Sequence, residues 1–152
     1  MTTVERMKLE KKIKSEGNFR IFNHRGLTGL ILRPQYVNEI GKELGRMFFL
    51  TGYVLIPENT KLGKWLWKMG EDYISSKTDV HGGITYFEIN DGLLWIGFDC
   101  GHAWDLDDFN DIGENRTYRD MEFVRNEIQS LIDQLLWLYA IDNGISFGDS
   151  HD

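Results

Sequence analysis

The chain has 152 residues, of which 41% are hydrophobic and 13% aromatic, and its formal net charge is −7. This composition can close one hydrophobic core and excludes a disordered chain, and no run approaches eighteen uncharged apolar residues, which excludes a membrane span. The N-terminus lacks the apolar region of a signal peptide and Cys100 is the single cysteine, so we expect a cytosolic protein without a disulfide framework.

The first third of the chain is predicted to form a peripheral helix and a hairpin. Residues 2–16 are dense in charge, have no continuous apolar stripe and end at Gly17, which predicts a helix that contributes little to the core. Residues 19–22 and 27–32 flank the turn sequence Asn-His-Arg-Gly and predict two antiparallel strands.

The segment from residue 36 to residue 78 gives weaker signals. Apolar residues spaced by three and four predict a weak helix over 36–44, and the apolar run at 47–56 predicts a buried strand. One or two helical turns are expected at 62–69, followed by a polar stretch over 70–78.

A second hairpin is the clearest β signal in the sequence. Residues 84–89 and 93–98 are separated by Asn90-Asp91-Gly92, a sequence typical of a two-residue turn. Pairing Asn90 with Leu93 gives one coherent apolar face, which supports this register. If the ladder continues, it brings His81 towards His102, although the glycines between them permit bulges.

The C-terminal third predicts a long amphipathic helix. Thr117 is the expected N-cap, and apolar residues recur at helical spacing from Met121 to Tyr139. We therefore expect one α+β domain over residues 1–141, in which a mostly antiparallel sheet of about five strands packs on this helix, with residues 1–16 peripheral. Residues 142–152 are polar and are expected to form a loose tail.

The charge is distributed unevenly between the two ends of the chain. Residues 1–50 carry ten basic and five acidic side chains, whereas residues 101–152 carry three basic and twelve acidic ones. This balance argues against duplex nucleic acid as a partner, since phosphate neutralisation supplies most non-specific affinity. The alternatives are a solvated acidic surface, homo-oligomeric pairing of opposite patches, or mimicry of a phosphate backbone towards a partner protein.

The predicted hairpin collects potential metal ligands and nucleophiles at its glycine-rich end. A divalent metal there would be held by His81, Asp99, His102 and Asp105, and it is the one cofactor that the sequence suggests. Alternatively, these side chains bond only to backbone groups in turns, because no recognised ligand spacing is present. Activation of Cys100 by His102 as a nucleophile is a further alternative, set against a small buried thiol.

The same end of the hairpin could bind a ligand without chemistry. Glycines allow close approach to the backbone, aromatic rings could stack a base, and arginines near a helix start could meet phosphate. The candidate ligand-binding residues are His81, Gly82, Gly83, Tyr86, Asp99, His102, Trp104, Arg116 and Arg119.

Four sequence motifs occur in the order Gly-Tyr-Val at 52–54, Asp-Val-His-Gly-Gly-Ile-Thr-Tyr at 79–86, Gly-Phe-Asp-Cys-Gly-His at 97–102 and Tyr-Arg-Asp-Met-Glu-Phe-Val at 118–124. Together they resemble a family of small hypothetical proteins carried by tailed phages and prophages. The resemblance covers roughly residues 50–136. Asp105 matches the aspartate that follows the third motif, Trp104 stands where a small residue is usual, and the first fifty residues do not align.

This resemblance implies a phage accessory protein in the cytoplasm of a bacterial host. Small non-structural phage proteins often act against host defence, so the leading hypothesis is a non-enzymatic protein that sequesters a small nucleotide-type signal. One alternative is an inhibitor that docks on a bacterial defence protein through its acidic surface, including Asp107 and Asp108. Another is a metal-dependent hydrolase that uses the four ligands named above.

Overall fold

The computed structural model describes residues 2–37, 43–46, 49–101, 105 and 117–145. The described elements are, in chain order, α1 (Thr3–Glu16), β1 (Phe19–His24), β2 (Leu27–Leu32), β3 (Gln35–Val37), β4 (Glu43–Arg46), β5 (Thr51–Pro57), α2 (Lys61–Met69), α3 (Glu71–Lys77), β6 (Tyr86–Asn90), β7 (Leu93–Asp99) and α4 (Met121–Asp142). Five strands form an antiparallel sheet in the order β1-β2-β5-β7-β6, and β3 pairs with β4 separately. The predicted α+β class, with a five-stranded antiparallel sheet and a long C-terminal helix, is confirmed.

Two tight turns of the same kind close the hairpins of the large sheet. Arg25 and Gly26 have φ angles of 53° and 85°, and Asp91 and Gly92 have φ angles of 53° and 76°. Two consecutive positive φ angles match the twist of the flanking strands, which is why such turns join antiparallel neighbours. The predicted pairing of Asn90 with Leu93 is confirmed.

The ladder between β6 and β7 is shorter than the sequence suggested. Its last pair is Tyr86 with Gly97, so the strand begins two residues after the predicted start at residue 84. The Thr85 N–H still donates to the Gly97 carbonyl at 2.9 Å, and the chain before it turns through two glycines with positive φ. The suggested approach of His81 to His102 lies outside the described residues.

One face of the large sheet is covered by α4, whose buried side chains are Met121, Val124, Ile128, Leu131, Ile132, Leu135, Leu136 and Tyr139. Alternate residues of the central strands, including Val54 and Ile96, are fully buried against it. Gly52 permits close packing here, because a Cβ at this position would lie 2.7 Å from the Phe98 ring and 3.0 Å from Val124. The core therefore lies between the sheet and α4, with α2 packed beside it.

The opposite face of the sheet, which we call the open face, carries a row of residues that crosses all five strands: Ile21, Leu30, Tyr53, Gly97 and Tyr86. Ile21 is 61% exposed and Tyr86 39% exposed, and Phe19, two residues before Ile21, is 65% exposed. The Tyr53 ring lies edge-on to Tyr86 and to Trp95, with centroids 5.7 Å and 5.4 Å apart. The open face is thus apolar and aromatic, and the described helices α2 and α4 pack on the other side.

The predicted N-terminal helix is present as α1, and none of its residues is buried. Thr2 and Glu5 form a reciprocal capping box at its start, and Gly17 ends it with a φ of 81°. Its last turns join it to the start of α4: Glu16 accepts hydrogen bonds from the Tyr118 hydroxyl and from the Met121 N–H.

Two sequence expectations about elements are wrong. Residues 36, 37, 43 and 44 lie in the strands β3 and β4 and not in a helix. The polar stretch 70–78, for which the sequence predicts no element, contains α3. The N-cap of α4 is Asp120, whose carboxylate accepts from the Phe123 N–H, and not Thr117. Of the predicted loose tail, residues 146–152 lie outside the described residues, and the Ile145 N–H bonds to the Ala140 carbonyl at 2.8 Å.

None of the helices within the described ranges is long and apolar enough to span a bilayer.

Candidate functional site

A buried carboxylate stands at the centre of the glycine-rich region that the sequence singled out. Asp105 is fully buried, and its Oδ2 lies 2.8 Å from His81 Nε2. Arg119 donates from Nε to Oδ1 of the same carboxylate at 2.9 Å. We call His81, Asp105, Arg119 and the adjoining Phe123 the Asp105 cluster. It joins the segment before β6, the segment after β7 and the start of α4.

The segment that carries His81 is fastened along α4 by side-chain hydrogen bonds. Gln134 accepts from the Asp79 N–H at 2.6 Å and donates to the Asp79 carbonyl at 2.7 Å. About two turns earlier on α4, Glu127 accepts from the His81 N–H at 2.8 Å. These contacts fix the backbone on both sides of Val80, which is buried, and so they set where the imidazole lies.

Phe123 forms the apolar wall of the Asp105 cluster. Its ring is perpendicular to the His81 ring at a centroid distance of 5.2 Å, and the Arg119 guanidinium carbon lies 4.8 Å from its centroid. A cation over an aromatic face is stabilised by the ring quadrupole, so Phe123 and Asp105 together hold the guanidinium in one orientation.

Arg119 differs from the two other members of its ion-pair network in its access to solvent. Its side chain is 25% exposed, whereas those of His81 and Asp105 are 10% and 0% exposed. Nε is committed to Asp105, and among the described residues no group accepts a hydrogen bond from Nη1 or Nη2. As far as the described residues go, the outer edge of the guanidinium is therefore available to an acceptor that arrives from solvent.

Gly82 and Gly83 directly follow His81 and reverse the chain direction. Both have positive φ angles, 69° and 81°, which favour glycine, and the Gly83 N–H closes a turn onto the Val80 carbonyl at 2.8 Å. No described residue outside its chain neighbours lies within 4 Å of the position that a Cβ of Gly83 would take. Within the described part of the chain, the backbone at Gly83 is therefore open to close approach.

Cys100 is buried at the end of β7, with 1% of its surface exposed. Burial raises the pKa of its thiol far above the ordinary value, and the nearby carboxylates of Asp105 and Asp99 raise it further. A protonated, inaccessible thiol is a poor nucleophile, so the geometry argues against the suggested nucleophilic role of Cys100.

The structure brings together some of the predicted ligand-binding residues and separates others. His81, Gly82, Gly83 and Arg119 meet around Asp105. Asp99 accepts from the Gly101 N–H at 2.9 Å, so it closes the turn after β7. Tyr86 lies on the open face, away from the cluster, while His102, Trp104 and Arg116 lie outside the described residues.

The structure places two of the four predicted metal ligands next to each other. His81 and Asp105 do lie in contact, but as a directly hydrogen-bonded pair. Within the described ranges, no group of three or more His, Cys, Asp or Glu side chains is arranged to hold a metal ion. The complete set with Asp99 and His102 stays a prediction, because His102 is outside those ranges.

Three residues that hold the site from α4, Phe123, Glu127 and Gln134, were not among the predicted site residues. The available signal was their spacing of four and seven residues, which places them along one side of the predicted helix. Polar residues at the border of an apolar helical stripe are candidates for such contacts with a neighbouring loop.

A second concave region lies between α4 and the β1–β2 turn. It has a volume of about 410 Å³ and is lined by Arg25, Ser130, Asp133, Gln134 and Trp137. Asp133 lies 2.9 Å from His24 Nε2 and 3.1 Å from Arg25 Nη1. Partial burial opposes ionisation of Asp133, but the hydrogen bonds from the hairpin outweigh it and lower the pKa of this carboxyl.

A scan against protein-family models gives no match for the chain, and searches of the curated proteins and of the solved structures also give none. The resemblance to phage proteins therefore stays a prediction. The geometry of the described residues is the basis on which a function can be proposed.

Proposed function

We propose that the protein is a non-enzymatic binding protein that sequesters a small nucleotide-type ligand, with Arg119 binding an anionic group of that ligand. The observation that carries this proposal is the arrangement of Arg119: Asp105 holds its Nε from the buried side and leaves Nη1 and Nη2 without a described acceptor. A guanidinium presents parallel N–H donors that fit phosphate oxygens in a bidentate manner.

Preorganisation supports a binding role for this arginine. Ordering a flexible arginine side chain at an interface costs about 0.5–1.5 kcal/mol. Asp105 and Phe123 already hold this guanidinium, at 2.9 Å from Nε and 4.8 Å from the ring centroid. Among the described residues, the space beside Gly83 is open, which lets a ligand approach the backbone near His81.

The state of the neighbouring reactive groups favours sequestration over turnover. The Cys100 thiol stays protonated because burial and nearby carboxylates raise its pKa. The Asp105 carboxylate is fully buried and already paired with two side chains, so it is poorly placed to act on a bound molecule.

Titration calorimetry with cyclic dinucleotides and cyclic ADP-ribose isomers tests the proposal. These nucleotide signals are the first panel because the sequence motifs resemble those of phage proteins. The full chain should bind at least one of them. Arg119→Gln should weaken that binding by roughly 10- to 100-fold, the scale of one charge-assisted hydrogen-bonded contact.

Arg125→Gln is the matched control, since it makes the same chemical change on α4. The Arg125 guanidinium lies 4.8 Å from the Phe22 ring centroid and takes no part in the Asp105 cluster. Arg119→Lys keeps the charge but loses the planar fork, so it should bind more weakly than the wild type. Absence of binding across the panel, or equal losses for Arg119→Gln and Arg125→Gln, would overturn the proposal.

The two other hypotheses from the sequence depend on residues outside the described ranges. The acidic inhibitor surface includes Asp107 and Asp108, and the hydrolase needs His102 as a metal ligand. No described contact favours either over ligand sequestration, so both stay predictions.

A further inference from the structure

The helix α1 presents an apolar and basic face on which no other part of the described chain packs. Val4, Met7, Lys8 and Lys11 follow the spacing of one helix face and line a shallow cavity of about 300 Å³. Val4 is 61% exposed and Met7 63% exposed, and no residue of α1 is buried.

This helix is attached to the rest of the chain near its C-terminal end. Glu16 accepts from Tyr118 and Met121, and Lys12 lies 3.2 Å from Asp120. Isolated helices of about 12–15 residues are marginal in water, and most helices in proteins are stabilised by packing of one face. None of the 14 residues of α1 is fully buried, and the half-buried ones, Leu9 and Ile13 among them, lie on a different side from Val4 and Met7. A further contact on the Val4 and Met7 side would therefore stabilise its first two turns.

The open face of the sheet has the complementary chemistry. Its exposed apolar residues include Phe19, Ile21 and Tyr86. The charged residues at the strand positions of this face are Glu88 and Asp99, and those positions carry no lysine or arginine. An apolar surface with acidic side chains fits an apolar helix face flanked by lysines.

We propose that two copies of the chain form a two-fold dimer, in which α1 of each copy lies across the open face of the other. Val4 and Met7 pack on the aromatic row, and Lys8 and Lys11 face the edge that carries Glu88. The dimensions agree, because 14 residues of helix span about 21 Å and five strands span about 19 Å.

Two-fold symmetry makes the exchange reciprocal, so the same contact forms twice. A stable interface buries about 1,200–2,000 Å² in total, and two helix-on-sheet contacts supply this area more readily than one. The uneven charge of the chain, basic at the start and acidic towards the end, also favours pairing between copies.

Sedimentation equilibrium of the full chain over a concentration series measures the dimer. Met7→Glu on the helix and Ile21→Glu on the sheet should each raise the dissociation constant at least about tenfold, since each places a charge in an apolar contact. Ile141→Glu is the control: Ile141 is 56% exposed on α4 and lies outside the proposed interface. Because all three positions are exposed, the far-ultraviolet circular dichroism of the variants should match that of the wild type.

A charge exchange locates the helix on the face. The double variant Lys8→Glu with Lys11→Glu should weaken the dimer, Glu88→Lys should weaken it as well, and the combined triple variant should regain affinity. A monomer at all concentrations overturns the proposal, as does a dimer that is weakened by Ile141→Glu but not by Ile21→Glu. A triple variant no tighter than the double one overturns the placement of α1. All these positions lie outside the Asp105 cluster, so ligand binding can fail or succeed separately.

Discussion

Replacement of Asp105 by asparagine tests whether the Asp105 cluster stabilises the fold. Asparagine has nearly the same volume, so the change creates no cavity, and it removes the negative charge that faces His81 and Arg119. Removing one partner of a buried ion pair costs about 3–5 kcal/mol. Because the Arg119 side chain is 25% exposed, water can partly replace the lost contact. We therefore expect the free energy of unfolding to fall by about 3 kcal/mol.

Equilibrium urea denaturation followed by tryptophan fluorescence measures this loss, provided that the dependence on urea concentration is unchanged. Thermal unfolding should agree, with a midpoint lower by about 6–12 °C for a chain of this length. Asp142→Asn is the matched control, since its exposed carboxylate accepts from the Tyr73 hydroxyl at 2.5 Å. Exposed changes of this kind usually alter stability by about 0.5 kcal/mol or less.

A loss below about 1 kcal/mol for Asp105→Asn would refute this reasoning, because such a value is close to the effect of an ordinary surface substitution. It would mean that solvent reaches the Asp105 carboxylate, which is fully buried in the structure. A loss of the expected size, with ligand affinity still dependent on Arg119, would assign Asp105 the role of a positioning residue.

Three further predictions concern the core and the hairpin. Gly52→Ala should cost about 1–3 kcal/mol, because its Cβ would lie 2.7 Å from the Phe98 ring; urea denaturation checks this, and a neutral change would contradict the packing described. Cys100 should resist a maleimide reagent in the native chain and react once urea unfolds it, since it is 1% exposed; rapid native labelling would contradict its burial. Burial raises the pKa of Asp133, but hydrogen bonds from the β1–β2 hairpin outweigh it, so the pKa is lowered in the folded chain. The ionised carboxylate therefore stabilises the fold above the unfolded pKa of about 3.9. This contribution is lost as the pH falls through the lower pKa of the folded chain. Acid titrations of wild type and Asp133→Asn should therefore differ in stability at neutral pH and converge in acid, whereas a constant difference would contradict the linkage.

The parts of the fold that the sequence predicted well are those specified by local chemistry. The Asn90-Asp91-Gly92 turn supplies positive φ at consecutive positions, and the alternation of its flanking strands leaves one register that buries an apolar face. The long helix α4 has a repeated apolar stripe, so its existence was predictable although its first residue was not. Asp120 and Thr117 are both good caps, and the choice between them depends on packing.

Elements with short or polar sequences were not predictable in the same way. The helix α3 has seven residues and buries only Ile74, so it has no stripe to distinguish it from a loop. Residues 36–44 have apolar spacing typical of a helix, yet the chain pairs β3 with β4 there, which shows that tertiary pairing outweighs a weak periodic signal.

The candidate site was predictable in composition and only partly in arrangement. The second hairpin placed His81 and Asp105 near the same end of the sheet, and the structure brings them into contact. The inclusion of Arg119 depends on the relative position of α4 and the segment after β7, which are distant in sequence and have no local rule to join them. Tyr86 was misplaced relative to this group because strand alternation directs it to the open face.

The bond from the Met121 N–H to the Glu16 carboxylate has a consequence for biosynthesis. During translation α1 leaves the ribosome before the groups that Glu16 bonds to, Tyr118 and Met121, which are made more than one hundred residues later. Until then the end of α1 is held by Arg33, which donates to the Gly17 carbonyl, and the bonds from Glu16 to the start of α4 form only later. Nascent chains halted before residue 118 should therefore lack this anchor, and their first helix should be cut by proteases that spare the finished protein.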